Sequence, residues 1–244
     1  LREIGRLREV TFREAGEGTG KPVDLDEFDV HYQHLFLWEA RTRRIVGAYR
    51  LGITGEIVAR RGLKGLYTST LFHYGSGFLD KLGPCLEMGR SFVRSEEQRG
   101  FAPLLLLWKG IAAWVSRNPE YKTLFGPVSI SNDYKPVSRE LMVRFLEGSK
   151  SAGDLTGLVK ARTPFRGTAA GRFDRVGAAL EWDLGELSTL VSEVETDQKG
   201  VPVLLKQYLK MGGRLVCFNV DAKFSNALDG LIVEGTSQLD ESMV

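Results

Sequence analysis

The spacing of apolar and polar positions along the chain predicts alternating helices and strands. Residues 1–12 place apolar side chains at helical intervals, which predicts a first helix. Residues 14–21 are polar and contain three glycines, a composition typical of a loop. The apolar runs at 34–40 and 45–53 have the length of strands, and the four polar residues between them predict a hairpin.

The remaining apolar runs predict an α/β protein whose first half is mostly antiparallel. A helix is expected over 67–82, because Gly83 and Pro84 follow it and stop helices. The strand predicted at 85–93 leads into an apolar helix at 101–116, with Pro103 in its first turn. Further elements are expected at 122–130 (strand), 138–146 (helix), 201–211 (helix), 214–220 (strand) and 227–233 (strand).

Residues 148–178 differ from the rest of the chain in composition. They are rich in Gly, Thr and Arg, and their basic residues outnumber their acidic ones. We therefore expect one domain over residues 1–244, with 148–178 as an insertion or a long excursion within it. The basic residues are Lys150, Lys160, Arg162, Arg166, Arg172 and Arg175, against Asp154 and Asp174.

The overall charge and the cysteine content exclude several classes of function. A net charge of +2 implies no nucleic-acid partner. Two cysteines far apart in the chain fit reduced thiols in the cytoplasm and form no cysteine-based zinc motif. The three histidines show no ligand spacing, so we expect no metal. The most apolar stretch, 101–115, is too short to span a membrane, so any membrane contact is expected to be peripheral, on the inner face.

Residues 87–110, EMGRSFVRSEEQRGFAPLLLLWKG, resemble the central strand, loop and helix of GNAT acyltransferases. More narrowly, the chain resembles ornithine-lipid N-acyltransferases, N-acyl amino acid synthases and haemolysin-like proteins, with acyl-homoserine-lactone synthases as distant relatives. The resemblance extends to LREVTFREAG, DEFD, HLFLWE, IVGAYRL, FGPVSISNDY and PVLLKQYLKMGGRLVCFNVD. It implies the GNAT fold, a central twisted mixed sheet flanked by helices.

In this fold the resemblance implies that strand 85–93 splays away from strand 122–130, and that helix 101–116 begins at the gap. The first strand of the family would precede Leu1, and the tail after Val233 is short. We therefore expect the chain to be trimmed at its start.

Acyl-homoserine-lactone synthases share a polar constellation that this chain resembles at several positions. The resemblance assigns catalysis to Glu87, Arg90, Arg50 and Asp29, which are expected to converge on one side of the cleft. It assigns acceptor binding or support to Arg8, Phe12 and Asp26. The residues alone leave other interpretations open: a salt bridge at a strand edge for Glu87 and Arg90, and a solvated network for the others. Arg50 is expected to pair either with the carboxylate of an amino acid or with Asp29.

The chemistry of acyl transfer gives Glu87 and its neighbours specific roles. An amine is mostly protonated at neutral pH, so a base must take its proton before it attacks a thioester, and Glu87 is our candidate. Positions 87 and 90 of an ideal strand point to opposite faces, but Gly89 permits a bulge that turns both toward one cleft. Backbone N–H groups around Ser91, Phe92 and Val93 are expected to bind the donor and stabilise the oxyanion.

The turn before helix 101–116 is expected to bind a phosphate of the donor through Arg99, Gly100 and Ala102. The GNAT phosphate loop begins with Arg or Gln, but Glu97 occupies that place here. This departure favours the single phosphodiester of an acyl carrier protein over the pyrophosphate of CoA. Docking of that acidic carrier, or of anionic lipid headgroups, is expected at a basic surface formed by Arg99, Lys160, Arg162 and Arg166.

The resemblance predicts an N-acyltransferase that moves a (3-hydroxy) fatty acyl group from acyl carrier protein to a small amine. The acceptor is expected to be an amino acid, and the product an aminolipid or an N-acyl amino acid. No bound cofactor is expected, since the thioester is a co-substrate. Two alternatives stay open: an enzyme that uses acyl-CoA, and a membrane-active or lipid-binding protein without catalysis.

Overall fold

A six-stranded sheet forms the centre of the molecule. The computed structural model describes residues 1–98, 100, 102–167 and 183–236. Neighbouring strands of the sheet follow the order β1-β2-β4-β5-β8-β7, and all pairs are antiparallel except β4 and β5. The strands are β1 (Gln33–Glu39), β2 (Arg44–Ile53), β4 (Cys85–Val93), β5 (Thr123–Ile130), β7 (Arg214–Asp221) and β8 (Ala227–Gly235), and β3 (Phe72–Tyr74) and β6 (Val159–Ala161) form a second, two-stranded sheet.

Helices cover the sheet and bury its apolar side chains. The largest apolar cluster joins residues of the central strands to the inner faces of four helices, and it includes Trp108, Met142, Val191 and Leu205. The helices are α1 (Arg2–Glu14), α2 (Thr54–Arg61), α3 (Phe78–Leu82), α4 (Ala102–Arg117), α5 (Pro136–Ser149), α6 (Leu184–Val194) and α7 (Val203–Lys210). Within the described part of the chain, no helix has the length and apolar character needed to cross a membrane.

Strands β4 and β5 are paired over only three residues. Cys85, Leu86 and Glu87 lie opposite Thr123, Leu124 and Phe125, and the pairing ends there. The backbone of Gly126 passes so close to the carbonyl oxygen of Met88 that a β-carbon at this position would clash with it. The ladder between the two strands therefore ends at Glu87, their backbones still approach closely at Met88 and Gly126, and they part beyond that point. Helix α4 begins beside the gap, as expected from the sequence.

The prediction of one helix over 67–82 is wrong. Residues 67–70 form a 3₁₀ turn, β3 follows, and only 78–82 are α-helical. Gly77 ends any continuous helix because its φ angle is +87°. The apolar side chains of Phe72 and Phe78 are nevertheless fully buried, so the apolar pattern indicated burial correctly but not conformation. The sequence analysis also missed α2 and α6.

The described part of the basic segment, residues 148–167, is hydrogen-bonded to the rest of the fold. Strand β6 pairs with β3, and the backbone N–H of Ala152 donates to the carbonyl of Leu215 over 2.6 Å. Arg172 and Arg175 lie outside the described residues, within 168–182. The interpretation of 148–178 as an insertion in a single domain stays a prediction.

Candidate functional site

A β-bulge in β4 determines which side chains enter the gap between β4 and β5. Ala48 and Arg50 of β2 lie opposite Phe92 and Gly89, so β4 carries one extra residue at this point. The sequence analysis had expected Gly89 to accommodate the bulge. Arg90 adopts the left-handed backbone conformation, with a φ of +49°. Such a conformation costs a non-glycine residue about 1–2 kcal/mol, which surrounding contacts must offset.

Arg8, Asp29 and Arg50 form the centre of a buried ion-pair network. The Nη1 and Nη2 atoms of Arg8 each donate to one oxygen of Asp29, both over 2.9 Å. The Nη1 of Arg50 lies 2.7 Å from Asp26 Oδ1 and 3.2 Å from Asp29 Oδ1. Burial alone would raise the pKa of Asp29, but hydrogen bonds from Arg8 and the charge of Arg50 outweigh it and lower the pKa well below its usual range. The bidentate contact leaves Asp29 ionised and fixed in place.

Glu87 lies next to this network but is enclosed by protein. Its side chain is 1% exposed and accepts hydrogen bonds from the hydroxyl of Tyr32 and from the backbone N–H of Thr68, the latter over 2.6 Å. Burial raises the pKa of Glu87, and the hydrogen bond from Tyr32 opposes that shift. The ring of Tyr67 lies 4.8 Å from the guanidinium carbons of both Arg50 and Arg90. Tyr67 therefore contacts both the enclosed network and the bulge, and Arg90 also lies 3.4 Å from Asp24 and 3.8 Å from Asp26.

A cavity of about 780 Å³ opens where β4 and β5 part. One wall is formed by Ser91, Phe92 and Val93 of β4, and the facing wall by 127–129 of β5. The first turns of α4 contribute apolar side chains such as Leu104. The cavity is thus a slot lined by the free edge of β4, by apolar side chains and by polar residues such as Ser129, and its volume is in the range of small-molecule sites.

Only some of the predicted site residues line this cavity. Arg90, Phe12, Ser91, Phe92, Val93 and Gly100 do. Among the described residues, those that do not are Glu87, Arg50, Asp29, Arg8, Asp26 and Ala102. Arg99 lies outside the described part of the chain. The structure thus joins Arg8, Arg50 and Asp26 through contacts with Asp29. Of the predicted catalytic group, Arg90 alone lines the described cavity.

At the end of the cavity nearest Arg90 lie two carboxylates that the sequence analysis did not identify. Glu17 is 8% exposed and accepts a hydrogen bond of 2.9 Å from the hydroxyl of Ser129. Burial raises the pKa of Glu17 to about 7, against the opposing effect of that hydrogen bond. Asp229 is 5% exposed, and burial together with the charges of Asp221 and Glu17 raises its pKa well above the usual range. We call Glu17 and Asp229 the acidic end of the cavity.

The cavity also reaches the turn before α4. Gln98 and Gly100 line it, and the side-chain amide of Gln98 donates to the carbonyl of Val93 over 2.7 Å. Glu97 forms an ion pair with Arg44 and is not among the cavity-lining residues that the structure describes. The carboxylate at position 97 is therefore directed away from the space in which a phosphate would bind, contrary to the sequence argument that it disfavours CoA.

The described residues contain no group of three His, Cys, Asp or Glu side chains that could hold a metal ion. Arg162, one of the predicted docking residues, donates to the backbone carbonyl of Ser69 over 2.8 Å. Of the predicted docking surface, Lys160, Arg162 and Arg166 lie outside the described cavity lining.

Curated relatives of this chain are glycine N(alpha)-acyltransferases. The protein of Phocaeicola vulgatus is 35% identical over 175 residues, which are 67% of this chain and 53% of that protein. The protein of Bacteroides thetaiotaomicron is 36% identical over 158 residues, 60% of this chain and 47% of that protein. The chain spans about half the length of these relatives.

Solved structures with a related shape are remote. An aminoglycoside 6'-N-acetyltransferase complexed with coenzyme A is 10% identical, with 96% of this chain and 89% of that chain covered and a TM-score of 0.47. A CoA-dependent acyl-homoserine lactone synthase is 13% identical, with 98% and 78% covered and a TM-score of 0.44.

The family comparison covers the part of the chain that forms the network and the bulge. Residues 7–109 match the family model of the acetyltransferase (GNAT) domain. These residues include α1, β1, β2, β4 and the start of α4. With the parted sheet described above, this match shows that the chain has the GNAT fold.

Proposed function

We propose that the protein is an N-acyltransferase that moves an acyl group from a thioester to the amine of a small amino acid such as glycine. The observation that carries the proposal is the slot between β4 and β5, which is continuous from the turn before α4 to Arg90 and the acidic end. Acyl transfer is fast when one site holds the thioester and the amine next to each other in reactive geometry. The glycine N(alpha)-acyltransferases named among its relatives support the choice of acceptor.

The donor is proposed to lie along β4. Beyond Glu87 this edge of β4 has no partner strand in the described structure, so N–H groups around Ser91 to Val93 are available to the thioester carbonyl. Such groups stabilise an oxyanion, and losing one typically costs 10²–10³ in rate. The apolar walls near Leu104, Leu107 and Val128 suit a fatty acyl chain. The phosphate of the donor is placed at Gly100, with Arg99 as its expected partner.

Acyl carrier protein is the proposed source of the acyl group, with acyl-CoA as the alternative. The pairing of Glu97 with Arg44 weakens the argument against a pyrophosphate, so the choice rests on docking. Reversing Arg162 and Arg166 to Glu tests it: KM for acyl carrier protein should rise and its salt dependence should fall, while acyl-pantetheine turnover stays constant. A preference for acyl-CoA would assign the donor to CoA.

The product is proposed to be an N-acyl amino acid or an aminolipid precursor, as in the ornithine-lipid branch that the sequence resembles. Synthesis of such an amphiphile is compatible with work in the cytoplasm and peripheral contact with an anionic membrane. Binding of the purified protein to vesicles with and without anionic lipid tests that contact.

Glu87, Asp29 and Arg50 are proposed to be positioning residues that act through Tyr67 and Arg90. Glu87 is enclosed by Tyr32 and Thr68, so an amine in the cavity does not contact it. Glu87→Gln preserves the shape of the side chain and tests this role. We expect a lower kcat with an unchanged pH dependence, whereas a direct base role would remove the acidic limb of the profile.

Incubation of the purified chain with glycine and either acyl carrier protein or CoA thioesters tests the function itself. We expect mass spectrometry to detect N-acylglycine with at least one donor. Val128→Phe narrows the slot and should abolish product, while the matched Val30→Phe at an exposed site should not. Absence of acylated amine with every donor and every small amino acid would refute the proposal.

A further inference from the structure

The acidic end is an uncompensated feature of the cavity. Its two carboxylates come from distant parts of the chain, since Glu17 follows α1 and Asp229 belongs to β8. Both are more than nine-tenths buried and both line the cavity. Burying an ionised carboxylate without a cation costs several kcal/mol, so two adjacent buried carboxyl groups facing one space are stabilised in their ionised form by a ligand that supplies positive charge.

Glu17 is held rigidly at this position. Its backbone N–H donates to the carbonyl of Phe12 over 2.8 Å, which fixes the loop against the end of α1. Gly16 just before it has a φ of +75° and lies against the carboxylate of Asp133. The hydroxyl of Ser129 then holds the side chain from the β5 side. A carboxylate fixed from both sides is preorganised for contact with a bound group.

Asp229 has free hydrogen-bonding capacity. It lies opposite Ser129 in the ladder between β5 and β8, so both side chains are on the same face of the sheet. Among the described residues, no group donates a hydrogen bond to its carboxylate, although Asp229 is only 5% exposed. The unpartnered carboxylate is exposed only to the cavity, where a cationic ligand would supply the missing donors.

Arg90 supplies the opposite charge at the same end. Its guanidinium lies between the rings of Tyr67 and Phe224, 4.8 and 5.0 Å from their centroids. Its contacts with the carboxylates of Asp24 and Asp26 are long, 3.4 and 3.8 Å, and its Nε has no hydrogen-bond partner within the described structure. The guanidinium is thus oriented by two rings and still has donors available to a carboxylate.

A guanidinium beside two carboxyl groups in one cavity is complementary to a zwitterion, because a bound ammonium group favours the ionised form of both carboxyl groups. Resting on the N-acyltransferase function proposed above, we infer that Glu17, Arg90 and Asp229 form the subsite of a free α-amino acid: Arg90 binds its carboxylate, Asp229 holds its ammonium group, and Glu17 takes up the proton that the ammonium loses. Glu17 is then the catalytic base, in place of the enclosed Glu87.

The proton and electron balance of the step is complete with these groups. The ammonium gives one proton to Glu17, and the nitrogen lone pair forms a bond to the thioester carbon. Collapse of the tetrahedral intermediate breaks the C–S bond, and the thiolate leaves with that electron pair. The thiolate takes the second proton from nitrogen and becomes a thiol. Glu17 releases its proton to solvent, so one amide, one thiol and one proton are formed.

The charges around Glu17 suit it to this role near neutral pH. Asp133 beyond β5 and Asp229 of β8 are the acidic groups that face it, and Arg90 of β4 is the cation. With a pKa of about 7, Glu17 is ionised above that pH and protonated below it. A base with a pKa near the working pH combines availability with proton affinity.

The decisive experiment compares pH profiles of kcat/KM for glycine in the wild type and in Glu17→Gln. In the wild type we expect kcat/KM to fall about tenfold per pH unit below pH 7 and to level off above it. In Glu17→Gln we expect a loss of about 10²–10⁴ at pH 7 and a continuous rise with pH, because only amine that is neutral in solution reacts. The matched control, Glu27→Gln, makes the same change at an exposed loop position outside the cavity lining that the structure describes.

A second acceptor separates the base role from a structural role. Aminooxyacetate carries a carboxylate and an amine that is already neutral at pH 7, so it needs no base. We expect Glu17→Gln to use it nearly as well as the wild type does, and the wild-type limb near pH 7 to disappear with it. If Glu17→Gln does not fold, the pH profiles of the wild type with glycine and with aminooxyacetate still test the inference. A fall in kcat/KM below pH 7 that persists with aminooxyacetate would overturn it.

Failure of the inference differs from failure of the proposed function. If the wild type acylates glycine and Glu17→Gln does so with the same profile, Glu17 is not the base and the function stands. If glycinamide is used as well as glycine by the wild type, Arg90 does not bind the acceptor carboxylate. If the wild type makes no acylated amine at all, the function itself is wrong.

Discussion

Two groups of buried carboxylates, the network around Asp29 and the acidic end of the cavity, differ in how their charges are paired. In the network, Asp29 accepts two hydrogen bonds from Arg8 and one from Arg50. At the acidic end, Glu17 has a single neutral donor, Ser129, and Asp229 has none in the described structure. All three carboxylates are more than nine-tenths buried, so burial does not distinguish them. Their partners do: the carboxylate of Asp29 is hydrogen-bonded to two arginines, and the carboxyl groups of the acidic end accept no hydrogen bond from a cation within the described structure.

The pKa values follow from this difference in pairing. Burial alone disfavours the charged form of every carboxylate. At Asp29, hydrogen bonds and the positive charges of two arginines outweigh burial, and the pKa falls. At Glu17 no equivalent compensation exists, and the pKa rises to about 7. Paired buried charges therefore serve mainly to position neighbours, while unpaired ones facing a cavity are suited to exchange protons.

The largest expected effect comes from breaking the network. Arg8→Met leaves the charge of Asp29 buried with one partner fewer, and we expect a loss of about 3–5 kcal/mol in the free energy of unfolding. Urea denaturation followed by circular dichroism measures this loss. The control Arg6→Met removes an exposed arginine of the same helix and should change stability by less than about 1 kcal/mol. Equal effects of the two substitutions would contradict the structural role of the network.

Asp29→Asn is expected to show that the network stabilises through an ionised carboxylate. The folded-state pKa of Asp29 is depressed, so its contribution is present above the unfolded-state value of about 3.9 and is lost as pH falls through the folded-state pKa. At pH 7 the free energy of unfolding of the variant should be lower than that of the wild type by about 2 kcal/mol or more. At pH 3 this difference should be smaller. A gap that is constant between pH 3 and pH 7 would show that ionisation of Asp29 does not matter.

The contribution of Glu17 to stability is expected to change with pH in the opposite direction to that of Asp29. The folded-state pKa of Glu17 is raised, so its contribution is fully present below the unfolded-state value and is lost as pH rises through about 7. Glu17→Gln is therefore expected to be more stable than the wild type at pH 8, by about 2 kcal/mol, and nearly equal to it at pH 4. Thermal unfolding at the two pH values measures the difference. A variant that is destabilised at pH 8 would place Glu17 with the structural charges.

The sequence predicted the fold better than the site, for physical reasons visible in particular residues. Long apolar runs predict helices and strands reliably because these elements bury them in or against the sheet. Such runs form the strand at 85–93, the helix after it and the strand at 122–130. The prediction of one helix over 67–82 failed because the left-handed backbone conformation of Gly77 interrupts the run. Apolar periodicity alone does not show where a chain turns.

Within the site, the sequence identified residues that belong to motifs and missed those brought together only by folding. The arginine and aspartate positions of the network came from the family resemblance. Glu17 lies in a glycine-rich loop, and Asp229 interrupts an apolar strand, a polar exception that was the available signal. Their meeting depends on the pairing of β5 with β8 and on the packing of the loop after α1. No local pattern contains that information.

A direct titration of individual carboxyl groups tests the central difference between the two clusters. Side-chain carboxyl ¹³C shifts, assigned with Glu17→Gln and Asp29→Asn, report the ionisation of each group as pH changes. We predict that Glu17 titrates near pH 7 and that Asp29 remains ionised at every pH at which the protein stays folded. If Glu17 instead titrates near pH 4 with the exposed glutamates, the acidic end is not an unpaired buried site and its role as base is contradicted.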